Sequence, residues 1–369
     1  MIEDVFRLCD DIGPEKVVHI FNPAIGLKGI VVIDNIATGP AIGGTRMEPD
    51  VTLEECARLA RAMTMKNAAA RLPHGGAKSV IFADPAMPIE EKEQLIRAFA
   101  RAIRNVVNYI PGPDMGTDEH AMAWIHDETG RSVGLPREIG GIPLDEIGAT
   151  GYGLAVAAEV AQDYCDLKLK GARVVVQGFG SVGMHVARFL AERGAILVAA
   201  ADSRSAIVNP DGIDVAALIE HKCRGRPVGE FTNGHAAADN DVVGVPCDIW
   251  IPAARPDIIN ESNVDQLDCK LLLQGANIPA TPGAEEILHQ RGVLIVPDFI
   301  ANSGGVICGS VEYHGGTQSA ALIAIEEKVR ANTHWVLRSA VEKGIDPRAA
   351  ALEMAEINLR KAISWQRWH

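Results

Sequence analysis

The stretch RVVVQGFGSVG, residues 173–183, determines the fold of the second half of this chain. Five strand-like residues lead into Gly178, Gly180 and Gly183, which form a G-x-G-x-x-G motif. The helical segment MHVARFLAERG follows, and then the apolar run ILVAAAD. This order predicts a βαβ unit that binds a dinucleotide, with the pyrophosphate at the helix N-terminus, where unbonded N–H groups and the helix dipole favour negative charge.

The motif predicts six cofactor-binding residues in a row: Gly178, Phe179, Gly180, Ser181, Val182 and Gly183. Asp202 ends the second strand, about 20 residues after the last glycine, where an acid accepts hydrogen bonds from the adenosine ribose. A carboxylate there suits NAD and repels the 2′-phosphate of NADP. Ser203 and Arg204 follow, and Arg204 keeps NADP open because a guanidinium can pair with a phosphate, although a solvated surface arginine is commoner.

Length and charge narrow the class of protein. A chain of 369 residues exceeds the size at which single cores stop growing, so two domains are expected. The formal net charge of -13 argues against nucleic acid or an anionic membrane as partner, because both repel an acidic surface. The N-terminal segment lacks the basic and apolar regions of a signal peptide, and no apolar run is long enough to span a bilayer.

The cysteines and histidines do not indicate a metal or a disulfide framework. Seven cysteines are scattered, odd in number and never form a C-x-x-C pair, and the eleven histidines have no metal-ligand spacing. We therefore expect reduced cysteines, a cytoplasmic location and no protein-bound metal.

Two lysines in apolar surroundings stand out in the first half of the chain. Lys66 lies near the end of a helix predicted to start at Thr52, and Lys78 follows two glycines at the start of the strand KSVIFADP. A small acid substrate needs a fixed cation, and a lysine near another cation in an apolar pocket is a usable general base. Asp114, on the stiff loop YIPGPDMGTDEH, is a candidate proton carrier.

The chain resembles the amino acid dehydrogenase superfamily, which includes the glutamate, leucine, phenylalanine and valine dehydrogenases. The matching segments are GPAIGGTRM, MTMKNAAARLPHGGAKSVI, YIPGPDMGT, TGYG, QGFGSVG, IPAA, GAN and IANSGGVI. The resemblance implies that Lys66 binds the substrate α-carboxylate and that Lys78 activates water. It implies that Asp114 exchanges protons with the amino or imino nitrogen, and that the glycines before Lys78 let substrate approach the backbone.

The same resemblance extends to the cofactor end of the site. It implies that Thr150 and Asn277 meet the nicotinamide, that Ala253 belongs to the cofactor site and that Asn302 helps to orient the substrate. Members of the family are homo-oligomers assembled through the first domain, so we expect a homo-oligomer here.

The expected architecture is an α/β protein of two domains with the active site in the cleft between them. Residues 1–150 are expected to form a substrate-binding and oligomerisation domain, and residues 151–334 a Rossmann-type dinucleotide-binding domain. The C-terminal helices, from about residue 335 to 369, are expected to pack back on the first domain.

The predicted side-chain pocket differs from that of the family's glutamate enzymes. Those enzymes carry a lysine before the paired glycines, where this chain has Ile42 followed by Gly43, and a serine where it has Gly309. Burying the γ-carboxylate of glutamate against Ile42 without a partner would cost several kcal/mol. Gly112 and Gly309 are expected to leave volume for a larger side chain, and Val306 completes the predicted pocket.

We therefore expect an NAD-dependent enzyme that reversibly deaminates a bulky apolar or aromatic L-amino acid, of the phenylalanine, tryptophan or leucine type, to its 2-oxo acid and ammonia. An NAD(P)-dependent glutamate dehydrogenase is the main alternative, because DSRSAIVNPDGIDV and TPGAEEILHQRG resemble the glutamate enzymes. A catalytically silent dinucleotide sensor would not need Lys66, Lys78 and Asp114 together. A 2-hydroxy acid dehydrogenase would use a histidine base, and His74 beside the glycine pair keeps that hypothesis open.

Overall fold

The chain forms two compact units in a computed structural model that describes residues 6–367, without the side chains of residues 239 and 240. The first unit takes in the described residues up to Leu144, with Val306–Ala321 and the described residues from Leu352 onward. The second unit consists of Asp145–Gly305 and Leu322–Ala351. Both contain a sheet and helices, so the predicted fold class, an α/β protein of two domains, is confirmed.

A five-stranded mixed sheet is the centre of the first unit. Its strands are β1 (Lys16–Asn22), β2 (Leu27–Asn35), β3 (Ala41–Met47), β4 (Gly76–Ile81) and β5 (Tyr109–Pro113). They lie in the order β1-β2-β4-β3-β5. Strand β3 runs parallel to β4 and β5, whereas β2 is antiparallel to β1 and β4. Strands β3, β4 and β5 therefore run in the same direction, with Lys78 inside β4 and Asp114 directly after the carboxyl end of β5.

Three helices accompany this sheet: α1 (Leu53–Ala69), α2 (Ile89–Ala102) and α3 (Glu119–Thr129). Helix α1 begins as the capping pattern predicts, because the Thr52 side chain accepts the N–H of Glu55 at 3.1 Å. Helix α2 turns Leu95, Ile96 and Phe99 into a core that the strands share.

A seven-stranded sheet is the centre of the second unit. Its strands are β6 (Arg173–Gln177), β7 (Ile196–Ala201), β8 (Ala206–Val208), β9 (His235–Ala237), β10 (Ile249–Pro252), β11 (Leu271–Leu273) and β12 (Leu294–Val296). The order is β12-β11-β10-β6-β7-β8-β9. The first five strands of that order are parallel, as predicted, but β8 and β9 add an antiparallel edge. A tight turn, in which the N–H of Asp202 donates to the carbonyl of Ser205 at 2.9 Å, connects β7 directly to its antiparallel neighbour β8.

The remaining helices follow from residue 144 onward. They are α4 (Leu144–Ile147), α5 (Ala149–Ala161), α6 (Ser181–Glu192), α7 (Val215–Cys223), α8 (Pro282–Gln290), α9 (Asp298–Ala301), α10 (Gly304–Tyr313), α11 (Gln318–Lys343) and α12 (Pro347–Ile363). Short 3-10 turns lie at Arg137–Ile139, Val228–Glu230, Asp239–Gly244 and Val264–Gln266. Gly344, with a φ of 66°, separates α11 from α12. In the described part of the chain, we find no helix with the length and apolarity needed to cross a membrane.

The first change of unit lies at 144/145, earlier than the predicted boundary at 150/151. Gly148 lies so close to His185 on α6 that a Cβ on Gly148 would be 2.3 Å from the ring. This contact places residues 145–150 with the second unit.

The C-terminal part of the chain changes unit more often than predicted. Residues 306–321 belong to the first unit, because Glu312 accepts backbone N–H groups from Gly134 and Leu135. A sequence prediction that follows chain order would assign them to the second domain, and ours did.

Residues 335–351 also differ from the prediction, since they belong to the second unit. Arg348 on α12 pairs there with Glu285 and Asp298 at 2.6 and 3.0 Å. The chain joins the first unit only from Leu352, and Asn358 then donates to the carbonyl of Ala68 at 3.1 Å.

Candidate active site

Lys78 and Asp114 form a buried ion pair in the first unit. Lys78 lies in β4 and is 4% exposed, and Asp114 directly follows β5. Strand β3 runs between them, and a Cβ on its Gly44 would lie 2.8 Å from the Cβ of Asp114. Because glycine has no Cβ, Asp114 can reach across β3 to the lysine.

The charges around Asp114 keep it ionised. Burial alone would raise the pKa of Asp114, but the cations of Lys78 and Arg46 outweigh burial, so that its pKa lies below the ordinary value. Arg46 Nε lies 3.5 Å from Asp114 Oδ2, and its Nη1 also pairs with Glu55 at 3.2 Å. Asp114 is therefore a carboxylate that can accept a proton. Sequence reasoning did not single out Arg46, although it lies in the quoted segment GPAIGGTRM.

Tyr109 supports the strands beneath this pair. Its buried hydroxyl donates to Gly43 O at 3.1 Å and is hydrogen-bonded to Ser79 Oγ at 2.8 Å and Thr45 Oγ1 at 3.2 Å. Burial raises the pKa of Tyr109, so the phenol stays protonated and keeps donating. The contacts join β3, β4 and β5 beside Lys78, and no sequence signal shows them because they depend on strand register.

The second predicted lysine lies on a neighbouring segment. Lys66 is in the last turn of α1 and is 7% exposed. The backbone N of Thr64 would be 2.0 Å from a Cβ on Gly76, so α1 packs tightly on the start of β4. A Cβ on Gly75 would lie 1.8 Å from Asn35 O. Both glycines thus allow the close approach of other backbone, and the approach of substrate to them stays a prediction.

The predicted side-chain pocket is apolar but more filled than expected. Ile42 packs with Ile110 and Val133 in a small buried cluster. A Cβ on Gly112 or on Gly309 would lie 3.2 Å from Val133 Cγ2. Val133 therefore occupies the volume that the two glycines were expected to leave open. Val133 lies on a loop without a motif, so no sequence pattern pointed to it. Gly43 serves the strand pairing, since a Cβ there would lie 1.8 Å from Ala77 O, and Val306 on α10 is partly exposed.

Glu312 fixes the loop that carries Val133. Its two carboxylate oxygens accept the N–H groups of Gly134 and Leu135, each at 3.0 Å. Burial raises the pKa of Glu312, and these backbone hydrogen bonds offset part of the rise. Helix α10 thereby sets where Val133 meets Gly112 and Gly309.

The glycine turn of the second unit has the geometry that a pyrophosphate needs. Gly178 has a φ of 97°, Gly180 has open space where a Cβ would lie, and a Cβ on Gly183 would be 2.0 Å from Gly178 O. The three glycines thus serve the turn, the approach of a ligand and the contact of helix with strand. Helix α6 starts at Ser181 without a side-chain cap, which leaves its first N–H groups available to an anion. Phe179 is buried beneath the turn, and Val182 is partly exposed.

The residues predicted for the nicotinamide end lie together in the second unit. Asn302 Nδ2 donates to Gly275 O, Ala276 O and Asn277 Oδ1 at 3.2, 3.3 and 3.1 Å. Asn302 Nδ2 therefore holds the loop that carries Asn277, while Asn302 Oδ1 has no hydrogen-bond partner among the described residues, and the role of Asn302 in orienting the substrate stays a prediction. Thr150 Oγ1 would lie 3.0 Å from a Cβ on Gly305, and Ala253 lies against Gly178.

A glycine turn of this geometry and a buried lysine–aspartate pair in one chain define a dinucleotide-dependent oxidoreductase. Residues 14–131 match the dimerisation domain of the Glu/Leu/Phe/Val dehydrogenases, and residues 140–366 match the domain described as glutamate/leucine/phenylalanine/valine dehydrogenase. The chain belongs to this family. It is an NAD(P)-dependent amino acid dehydrogenase, which confirms the predicted enzyme class.

Relatives and solved structures agree with the assignment. A glutamate dehydrogenase of Aeropyrum pernix is 37% identical over 358 residues, which cover 90% of this chain and 85% of the relative. An NADP-specific glutamate dehydrogenase of Saccharolobus shibatae is 37% identical over 306 residues, covering 79% and 72%. The structure resembles a hetero-hexameric glutamate dehydrogenase from Thermus thermophilus in its leucine-bound form, with a TM-score of 0.87, 31% identity and coverage of 95% and 89%.

Proposed function

We propose that the chain catalyses reversible oxidative deamination of an L-amino acid to a 2-oxo acid and ammonia, with Lys78 and Asp114 as the groups that move protons. The observation that carries this proposal is the buried ion pair of these two residues in β4 and after β5. A bound nicotinamide would supply the hydride acceptor. The buried cation Lys66, on the helix packed against β4, would hold the substrate α-carboxylate.

The order of proton transfers follows from the charges. The substrate ammonium must lose a proton before hydride leaves the α-carbon, because the nitrogen lone pair forms the new C=N bond. The ionised Asp114 can accept that proton. Water then attacks the imino carbon, and Lys78, in contact with Asp114, is placed to relay the proton that this water loses. Return of that proton to the nitrogen breaks the C–N bond, so that ammonia leaves and the 2-oxo acid forms.

Two substrate classes remain, and the relatives support glutamate as the first candidate. The curated relatives from Aeropyrum pernix and Saccharolobus shibatae are both glutamate dehydrogenases. The predicted preference for a bulky apolar substrate is not supported by these relatives. We therefore propose L-glutamate and 2-oxoglutarate as the substrate pair to test first, with NAD and NADP both open as cofactor.

A specific observation favours an apolar amino acid as the second candidate. The cluster of Ile42, Ile110 and Val133 offers no hydrogen-bond donor to a γ-carboxylate, and an unpaired buried carboxylate costs several kcal/mol. Val133 fills space beside Gly112 and Gly309, so this candidate is a branched side chain of leucine size rather than tryptophan.

The test is the initial rate of NADH or NADPH formation at alkaline pH from a panel of L-amino acids. If glutamate is turned over and leucine is not, the first candidate stands; the reverse result replaces it with the second. In parallel, Lys78→Ala should lower kcat on the best substrate by at least about a thousandfold, since proton transfer is lost, while NAD still binds.

The matched control is Lys28→Ala, which removes an exposed lysine from β2 of the same sheet. It should leave kcat within about twofold of the unchanged protein. Ordinary turnover in Lys78→Ala would sink the proposed role of Lys78. The cytoplasmic location also stays a prediction, which fractionation of the source cells would test.

A further inference from the structure

The carboxylate of Asp202, at the end of β7, has its acceptor positions filled from within the chain. Oδ1 accepts the N–H groups of Arg204 and Ser205 at 2.9 and 3.0 Å. Oδ2 accepts the N–H of Val228 at 3.1 Å and a charge-assisted hydrogen bond from Lys222 Nζ. A carboxylate offers about four lone-pair positions, so this arrangement leaves none for the hydroxyls of a ribose.

The charge of Asp202 is compensated as well. Its side chain is 5% exposed and that of Lys222, near the end of α7, is 19% exposed, so the pair is mostly shielded from water. Burial alone would raise the pKa of Asp202, but the hydrogen bond from Lys222 and the backbone N–H groups hold its pKa below the ordinary value. The acid is thus ionised, and the pair has no net charge with which to repel a phosphate.

The pair lies beside the turn that receives the pyrophosphate. The N–H groups of Gly178 and Phe179 both donate to the carbonyl of Ala201, at 2.9 and 2.7 Å, directly before Asp202. Arg204, two residues further, is exposed and anchored through Nη2 to the carbonyl of Gly225 at 3.0 Å. The neutral Lys222–Asp202 pair and the cation Arg204 therefore flank the position where the adenosine end of a dinucleotide would lie.

We propose that Lys222 decides the cofactor preference of this enzyme: it binds Asp202, withdraws the acid from the ribose and neutralises the charge that would repel a 2′-phosphate, while Arg204 supplies positive charge beside it, so that NADP binds at least as well as NAD. The inference rests on the proposed function in one respect, namely that the bound cofactor is a nicotinamide dinucleotide. It reverses the expectation that Asp202 selects NAD, because that expectation treated the acid as unpaired.

The test measures binding of two cofactor fragments to the full-length protein by calorimetry, with no substrate and no turnover. The fragments are ADP-ribose and 2′-phospho-ADP-ribose, which differ only in the phosphate. Lys222→Met should weaken the phosphorylated fragment about tenfold, because an unpaired Asp202 then repels the 2′-phosphate, and leave ADP-ribose unchanged or tighter. Lys222→Arg should keep the ratio of the unchanged protein.

Two further variants separate this site from general charge and from misfolding. Arg224→Met removes another cation at the same end of α7. Because Arg224 pairs with Glu220 and not with Asp202, this variant should leave the ratio of the two fragment affinities within about twofold of the unchanged protein. Asp202→Asn keeps Lys222 and should tighten the phosphorylated fragment relative to ADP-ribose. Equal weakening of both fragments by Lys222→Met, or an equal shift from Arg224→Met, would overturn the proposal.

Fragment binding and deamination fail independently. A protein that shows the expected ratios but deaminates no amino acid would contradict the proposed function and leave the role of Lys222 intact. If the enzyme deaminates an amino acid but Lys222→Met leaves the ratio of the two fragment affinities unchanged, the proposed function stands and the role of Lys222 is contradicted.

Discussion

His74 is a buried group from which we predict a dependence of the first unit's stability on pH. It is fully buried, and its Nδ1 donates to the carbonyl of Pro40 at 3.0 Å, so Nε2 carries no proton in the neutral ring. Among the residues that the structure describes, Nε2 has no hydrogen-bond partner. Burial, with a smaller contribution from neighbouring His314, lowers the pKa of His74 to about 4. A buried, neutral ring without a carboxylate partner does not support the 2-hydroxy acid dehydrogenase hypothesis.

The sign of the pH effect follows from this lowered pKa. An unfolded histidine titrates near 6.5, so the stability that neutral His74 contributes is complete above about pH 6.5 and is lost as the pH falls toward 4. The free energy of unfolding should therefore fall by roughly 2 to 3 kcal/mol more in the unchanged protein than in His74→Gln over that interval. Urea unfolding followed by circular dichroism at pH 7, 5.5 and 4.5 measures this.

The control is His120→Gln, because His120 is an exposed histidine of the same unit. Its difference from the unchanged protein should stay constant with pH. A difference for His74→Gln that is equally constant would show that His74 does not carry the effect.

Helix α10 acts on the predicted side-chain pocket through one carboxylate. Glu312 holds Gly134 and Leu135, and that loop presses Val133 against Gly112 and Gly309. Glu312→Ala leaves two buried N–H groups without a partner, at about 1 to 3 kcal/mol each, and frees the loop. We expect a lower free energy of unfolding, a several-fold rise in KM and less discrimination between amino acid side chains, with kcat less affected.

A graded variant tests whether the effect comes from the loop. Glu312→Gln keeps one acceptor oxygen, so its KM and its unfolding free energy should lie between those of the unchanged protein and Glu312→Ala. Steady-state kinetics on two amino acids measure the discrimination. An unchanged KM and substrate ratio in Glu312→Ala would mean that Val133 is positioned without it.

At the scale of the whole molecule, β1 has a neighbouring strand on one side only among the strands that the structure describes, and we propose its other edge as an assembly surface. Strand β1 lies at the end of the five-stranded sheet, and its Val17 and Phe21 are 37% and 67% exposed. An unpaired edge with apolar side chains readily pairs with another chain. The family domain that residues 14–131 match is described as a dimerisation domain. We propose that a second copy of this chain covers the edge.

Light scattering on the purified protein tests the proposal. The unchanged protein should be an oligomer, and Phe21→Asp should shift the mass toward smaller species at micromolar concentration, because a charge on an edge strand opposes pairing. Val107→Asp changes another exposed apolar residue of the first unit, 71% exposed and outside the sheet, and should leave the mass unchanged. A monomeric unchanged protein would refute the proposal.

Sequence patterns predicted local structure correctly where neighbouring residues in the sequence are also neighbours in space. The glycine turn of 178–183 has the predicted conformation, because strand, turn and helix are continuous and each glycine has a steric reason. The helix start at Thr52 and the break at Gly344 are of the same kind. Lys66, Lys78 and Asp114 could be selected because charged residues in apolar stretches of sequence are seldom buried unless they have a partner or a function.

Contacts between distant segments could not be predicted from the sequence. These contacts determine the shape of the predicted side-chain pocket and the surroundings of Asp202. Chain order could not show that residues 306–321 join the first unit, that Val133 fills the space beside Gly112 and Gly309, or that Lys222 binds Asp202. The sequence by itself determined the two-domain α/β architecture, the dinucleotide turn and the dehydrogenase family, since these depend on local patterns and ordered motifs. Only the tertiary structure decided the pocket volume and the partners of the charged groups, because packing and ion pairing depend on distances between side chains that lie far apart in the chain.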